Sequence, residues 1–140
     1  MRVRNVRIKL MKNQKITMKY LLIIFSLLSL YSCAQNKEND MTVTQLKEAM
    51  KNDSLLVILD VRTPQELNGP LGKIDGAINI PVQELEQRVG ELTKYKNKNI
   101  AVICRSGNRS RTAQQILSRQ GFNAKNVSGG MIEFRQSEGK

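Results

Sequence analysis

Ile100-Ala101-Val102-Ile103-Cys104-Arg105-Ser106-Gly107-Asn108-Arg109-Ser110-Arg111 is the stretch that decides how this chain folds. The four apolar residues at its start read as a strand covered on both faces. Beyond the cysteine, Thr112 to Arg119 continues as a helix, with Ala113, Ile116, Leu117 and Gln120 on one mostly apolar face. Cys104 therefore stands at a strand-to-helix turn filled with glycine and small polar residues. Backbone N–H groups converge in such a turn, and the helix directs its positive end at the thiol. Both effects favour thiolate over thiol. Arg105 and Arg109 add positive charge nearby. The pattern predicts a nucleophile held in an anion cradle.

Working outward, apolar strand-like runs alternate with helical patterns. Thr44 is placed to cap a short helix carrying Leu46, Ala49 and Met50. Leu55 to Leu59 is a second continuously apolar run. Thr63-Pro64-Gln65-Glu66 then puts Thr at the N-cap, Pro at the first helical position and Glu at the third. Ala77-Ile78-Asn79-Ile80 reads as a strand stopped by Pro81, and Leu85, Val89 and Leu92 mark one further helix. Gly121 ends the helix that follows Cys104. Ala124 to Val127 reads as a last strand, and Ser128-Gly129-Gly130 as a tight turn before a terminal helical segment. Strands separated by helices imply right-handed crossovers, hence an α/β fold with a mostly parallel sheet of about five strands and helices on both faces. Ligands bind beyond the carboxyl ends of such strands, where Asp60 and Cys104 both fall.

The chain has 140 residues, enough for one domain with a real core, and a formal charge of +11. That charge suggests nucleic acid until its position is examined. Residues 1–32 hold seven basic residues and no acid; removing them leaves 16 basic residues against 12 acids. The aromatics of the remainder, Tyr95, Phe122 and Phe134, do not interleave with a basic stripe, so nucleic-acid binding is disfavoured.

The excess belongs to a leader. Leu21 to Leu30 has the length of a signal h-region and is short for a membrane span. Met18-Lys19-Tyr20 makes a compact start for it, leaving residues 1–17 as an upstream extension. Small Ser32 precedes Cys33, and residues 33–40 have the polar composition of a tether, leaving 41–140 as the folded domain. A cysteine so placed resembles that of a bacterial lipobox, which implies lipidation of Cys33 and a lipid-anchored protein of the cell envelope, on the periplasmic side or the surface. A plain secretory signal or an uncleaved anchor are the other readings.

The chain contains no histidine. Cys-His and Ser-His catalysis and His-containing metal sites are thereby excluded. With Cys33 assigned to lipid, Cys104 has no cysteine to pair with, so neither a disulfide nor a thiolate metal cluster is expected. The reading calls for no cofactor and no metal. Activation must come from loop amides, the helix dipole and arginine. Such a cysteine suits attack on an anionic substrate or storage of an anionic sulfur species, whereas an inert buried thiol needs no such flanks.

Four stretches together resemble a single-domain rhodanese, of the thiosulfate sulfurtransferase family: Asp60-Val61-Arg62-Thr63-Pro64-Gln65-Glu66; Gly72 to Pro81; Cys104-Arg105-Ser106-Gly107-Asn108-Arg109-Ser110; and Gly121-Phe122 with Val127-Ser128-Gly129-Gly130. The resemblance covers about Thr42 to Phe134. Lys73 stands where that family often has His, and Phe134 where it often has Trp. Four residues separate Cys104 from Arg109, the short loop of sulfurtransferases. Phosphatase and arsenate-reducing relatives have one residue more, and the residue at that spacing here is Ser110.

The resemblance implies catalysis by Cys104. Its thiolate takes sulfane sulfur from thiosulfate or a persulfide donor, and a thiol or cyanide accepts it. The intervening persulfide is cradled by Arg105, Ser106, Gly107, Asn108, Arg109 and Ser110. Arg105 is the candidate for drawing in the anionic donor. Arg109 either pairs with Asp60 or Glu66 to hold the loop, or acts on substrate. Asp60, Arg62 and Glu66 are supporting residues, with Asp60 and Arg62 bracing the sheet near the site. Ser110 is either the helix N-cap or a donor to sulfur, and Gly107 takes a backbone conformation that a side chain hinders. A sulfur carrier that uses the same cysteine without turnover is the alternative.

Overall fold

The computed structural model describes residues 38–139. The leader, the cysteine at position 33 and the tether up to residue 37 lie outside the described residues. Eleven elements follow in order: β1 (Asp40–Met41), α1 (Val43–Asn52), β2 (Leu56–Asp60), α2 (Pro64–Leu67), β3 (Ile78–Asn79), α3 (Leu85–Arg88), a 3₁₀ segment (Val89–Tyr95), β4 (Asn99–Ile103), α4 (Asn108–Arg119), β5 (Asn123–Val127) and α5 (Gly130–Gln136). The five strands form one sheet in the order β1-β5-β4-β2-β3, and every neighbouring pair is parallel.

The central strands explain why both faces must be covered. Along β4, Ile100 and Val102 join the core built with Leu85, Leu92, Ala113 and Leu117 of α3, the 3₁₀ segment and α4. Ala101 and Ile103 point the other way, into the core built with Val43, Leu46, Met131 and Phe134 of α1 and α5. Period-two alternation in a continuously apolar strand thus feeds two cores.

The structure corrects several local expectations. Asp40, placed in the tether by composition, begins β1, a two-residue edge strand that pairs with Asn126 and Val127. The N-cap of α1 is Thr42, not Thr44. Gln45 N–H donates to Thr42 Oγ1 and Thr42 N–H donates to Gln45 Oε1, a complete capping box. The single helix expected over Leu85 to Leu92 is a short α-helical turn followed by a 3₁₀ segment. The glutamine that α4 buries is Gln114, whose Nε2 donates to the Ala124 carbonyl, while Gln120, just past the helix end, is exposed. Gly121 ends α4 as expected, at φ +77°.

In-register pairing of β2 with β4 sets Asp60 opposite Ile103, and Val61 N–H donates to the Ile103 carbonyl at 2.9 Å. The carboxyl ends of the two central strands therefore finish together, and Cys104 is the next residue. A cleft of about 440 Å³ opens at the far, amino-terminal ends of the strands, beside Asp53, Asn99 and Asn123. It shares no residue with the cysteine turn.

Candidate active site

Cys104 is a free, buried thiol between β4 and α4. Gly107 caps α4 at φ +100°, and its N–H donates to Cys104 Sγ at 3.1 Å. A side chain at that φ would be strained. A Cβ on Gly107 would also lie 3.3 Å from the Gly129 nitrogen, so the turn packs tightly against the chain leaving β5. Ser110, in the first turn of α4, directs its hydroxyl at the sulfur from 3.3 Å. Of the two roles open for Ser110, the structure gives it the donor position and gives the N-cap to Gly107.

Burial pushes the Cys104 thiol up. Hydrogen bonds from the Ser110 hydroxyl and from the N–H groups of Ser110, Gly107 and Ser106 outweigh it and hold the thiol below its ordinary value of 9.0. The groups that hold it down are hydrogen-bond donors of the loop and of the first turn of α4. Arg105 is exposed on the loop, and Arg109 is turned to Glu66.

Arg109 pairs with Glu66, not Asp60. Its Nη1 donates to Oε2 at 2.7 Å and its Nη2 to Oε1 at 2.6 Å, a bidentate clamp between α4 and α2. Arg109 holds the Glu66 carboxyl down to about 2, with burial opposing and the Thr63 N–H assisting. Glu66 reaches back to that N–H at 3.1 Å, so one side chain both caps α2 and anchors the loop.

Asp60 is occupied elsewhere. Arg62 and Asp60 are each 1% exposed, and Arg62 Nη2 meets Asp60 Oδ2 at 2.6 Å and the Gly72 carbonyl at 2.7 Å. This buried pair ties the chain leaving β2 to the backbone at Gly72. Every buried side-chain nitrogen and oxygen among the described residues has a hydrogen-bond partner.

Residues that sequence reasoning passed over complete the frame. Asn79 Nδ2 donates to the carbonyls of both Asp60 and Arg62 at 2.8 Å. Asn126 accepts from Ser110 through Oδ1 at 2.7 Å and donates to Asp40 at 2.8 Å. The first N–H groups of α5 take the loop's own carbonyls, Met131 N–H to Cys104 at 2.8 Å and Ile132 N–H to Arg105 at 3.1 Å. With its carbonyls turned to α5, the loop is free to present N–H groups to the sulfur. Gly130 permits that approach, since a Cβ there would lie 2.5 Å from the Cys104 carbonyl oxygen. The available signals were a lone Asn in each of two otherwise strand-like runs and a double glycine after β5.

Beside the loop is a cavity of about 380 Å³, lined by Arg62, Glu66, Leu71, Arg105 and Ile132 among others. A buried thiol, the N–H and hydroxyl donors aimed at it and an exposed arginine thus stand together at the carboxyl ends of the strands of an α/β scaffold. The rhodanese-like domain model matches residues 42–137, and the chain belongs to that family.

It is 34% identical over 76 residues to the thiosulfate sulfurtransferase PspE of Escherichia coli, covering 54% of this chain and 71% of that protein. It is 30% identical to a sulfurtransferase of Allochromatium vinosum, covering 69% of this chain and 87% of the relative. A crystal structure of a rhodanese-related protein from Thermoplasma volcanium superposes with a TM-score of 0.63 at 36% identity, over 71% of this chain and 92% of that one.

Proposed function

We propose that this protein is a sulfurtransferase that carries sulfane sulfur on Cys104. The Cys104 thiolate attacks the outer sulfur of thiosulfate, or of a persulfide donor. The bond to the donor breaks, and sulfite or the donor thiolate leaves with its electron pair. The sulfur then rests as a Cys104 persulfide facing the loop N–H groups. An acceptor thiolate or cyanide attacks the outer sulfur and returns Cys104 as thiolate, a ping-pong cycle. The observation that carries this reading is the sulfur held by Gly107 N–H and the Ser110 hydroxyl, in a chain with no histidine to act as base. Arg105 supplies the exposed charge for an anionic donor.

The test is steady-state formation of thiocyanate from thiosulfate and cyanide by the purified full chain. Parallel double-reciprocal lines and no turnover in Cys104→Ser are expected. Stoichiometric sulfur uptake without turnover would instead make the protein a carrier. We further propose that Cys33 carries the lipid and that the domain works at the cell envelope. Cys33→Ser should then leave the membrane fraction, and unchanged fractionation would contradict the anchor.

A further inference from the structure

Ser110 has one hydroxyl proton and two acceptors within reach of it. Its Oγ lies 3.3 Å from Cys104 Sγ and 2.7 Å from Asn126 Oδ1, and all three residues are buried. A hydroxyl fully serves one acceptor at a time. The Asn126 amide is oriented from its other side. Its Nδ2 donates to Asp40 Oδ1 at 2.8 Å, and a carboxylate only accepts, so Oδ1 must face Ser110. Arg111 Nη2 holds the second Asp40 oxygen at 2.9 Å. Strand register makes this arrangement stiff, because Asn126 on β5 lies opposite Asp40 on β1.

We propose that Asn126 is a positioning residue that makes the Ser110 hydroxyl a two-position switch governed by the charge on the Cys104 sulfur. When Sγ is a thiolate, the O–H points to it. When Sγ is neutral, as a thiol or as the inner sulfur of a persulfide, the O–H turns to Asn126 Oδ1. No covalent bond of Ser110 forms or breaks; only the direction of its hydrogen bond changes. The catalytic consequence rests on the persulfide reading above. As an acceptor attacks the outer sulfur, the S–S bond breaks, its electron pair stays on Sγ, and the hydroxyl turns to meet the new charge. Asn126 therefore competes with the sulfur and holds the thiol–thiolate balance further toward thiol than the bare hydroxyl would.

The charged groups around the sulfur are Arg105, the exposed Glu133 of α5, and three pairs: Arg109–Glu66, Arg62–Asp60 and Arg111–Asp40. Only the last is altered in the test. The measurement is the pH profile of Cys104 alkylation by iodoacetamide in the purified full chain. It is read from the tryptic peptide Asn99–Arg105, so that Cys33 does not contribute. Asn126→Ala should lower the midpoint by roughly half a pH unit, the size of one competing hydrogen bond. Asp40→Asn, on the sheet edge, should do the same by freeing the amide to turn, and it carries the test where Asn126→Ala does not melt cooperatively.

Ser110→Ala should raise the midpoint. In that background neither second substitution should move it further. Equal downward shifts with and without the hydroxyl would overturn the switch, as would no shift or an upward shift when the hydroxyl is present. Alkylation needs no sulfur transfer. A chain that shows these shifts yet takes no sulfur from thiosulfate would retain the switch and lose the proposed function.

Discussion

Glu66 and Arg109 grip each other through two parallel hydrogen bonds of 2.6 and 2.7 Å, tying the start of α2 to the first turn of α4. Each side chain is 31% exposed, so the clamp is partly screened and contributes about 1 kcal/mol. Its larger effect is on the loop, whose last residues before Ser110 it immobilises. Glu66→Gln should lower the melting temperature by a few degrees and reduce sulfur-transfer turnover more than it reduces donor binding. Initial-rate kinetics beside a melting curve check both.

The same pair gives stability a pH dependence of known sign. The Glu66 carboxyl is held at about 2 in the folded chain, below its ordinary 4.5. A depressed folded value means that the stabilisation is complete above 4.5 and is lost as pH falls from there through about 2. Wild-type stability should fall over that interval more steeply than that of Glu66→Gln. Urea denaturation at several acidic pH values measures the difference.

Cys104 titrates below the ordinary thiol value because of its donors, so its reactivity should persist below pH 9.0. Ser110→Ala removes the first of those donors. The alkylation rate near neutral pH should drop severalfold, while the rate well above the midpoint changes little. A pH-independent loss would point to blocked access instead.

Gly130→Ala should be among the more disruptive single-methyl substitutions. Gly130 has φ +56°, and the new carbon would lie 2.5 Å from the Cys104 carbonyl oxygen and 2.7 Å from Arg105 backbone atoms. A cost of about 2–3 kcal/mol is expected. Gly76→Ala, at φ +77° with nothing within 4 Å, should show only the backbone strain, about 1 kcal/mol. Chemical denaturation of the two variants separates clash from conformation.

Arg62→Met leaves Asp60 buried without its partner and should cost about 3–5 kcal/mol. Asp60→Asn with Arg62→Met should recover part of that loss. A double variant no better than Arg62→Met would argue that the Asp60 carboxylate is held chiefly by the Arg62 backbone N–H, which donates to its Oδ1 at 3.0 Å.

Continuity of apolar residues made β2 and β4 legible in the sequence, and the residue after β4 was legible with them. β1 was not. Asp40-Met41 has no periodicity of its own and becomes a strand only by pairing with β5. The cap of α1 was readable in principle, because Gln45 three residues after Thr42 completes a capping box that Thr44 lacks. The partner of Arg109 depended on geometry: Arg62 already occupies Asp60, and pairing between β2 and β4 is needed to see it. Asn126 was passed over for the same reason. Its importance lies in facing, from β5, the hydroxyl of Ser110 on α4, sixteen residues earlier in the sequence.

The central claim is that Cys104 itself carries the sulfur. The most direct measurement is the mass of the peptide Asn99–Arg105 after the full chain is incubated with thiosulfate, proteolysed without reductant and compared with an untreated sample. One additional sulfur atom on Cys104, removed by subsequent cyanide, is the expected result. An unchanged peptide mass with thiosulfate and with a persulfide donor alike would contradict the account.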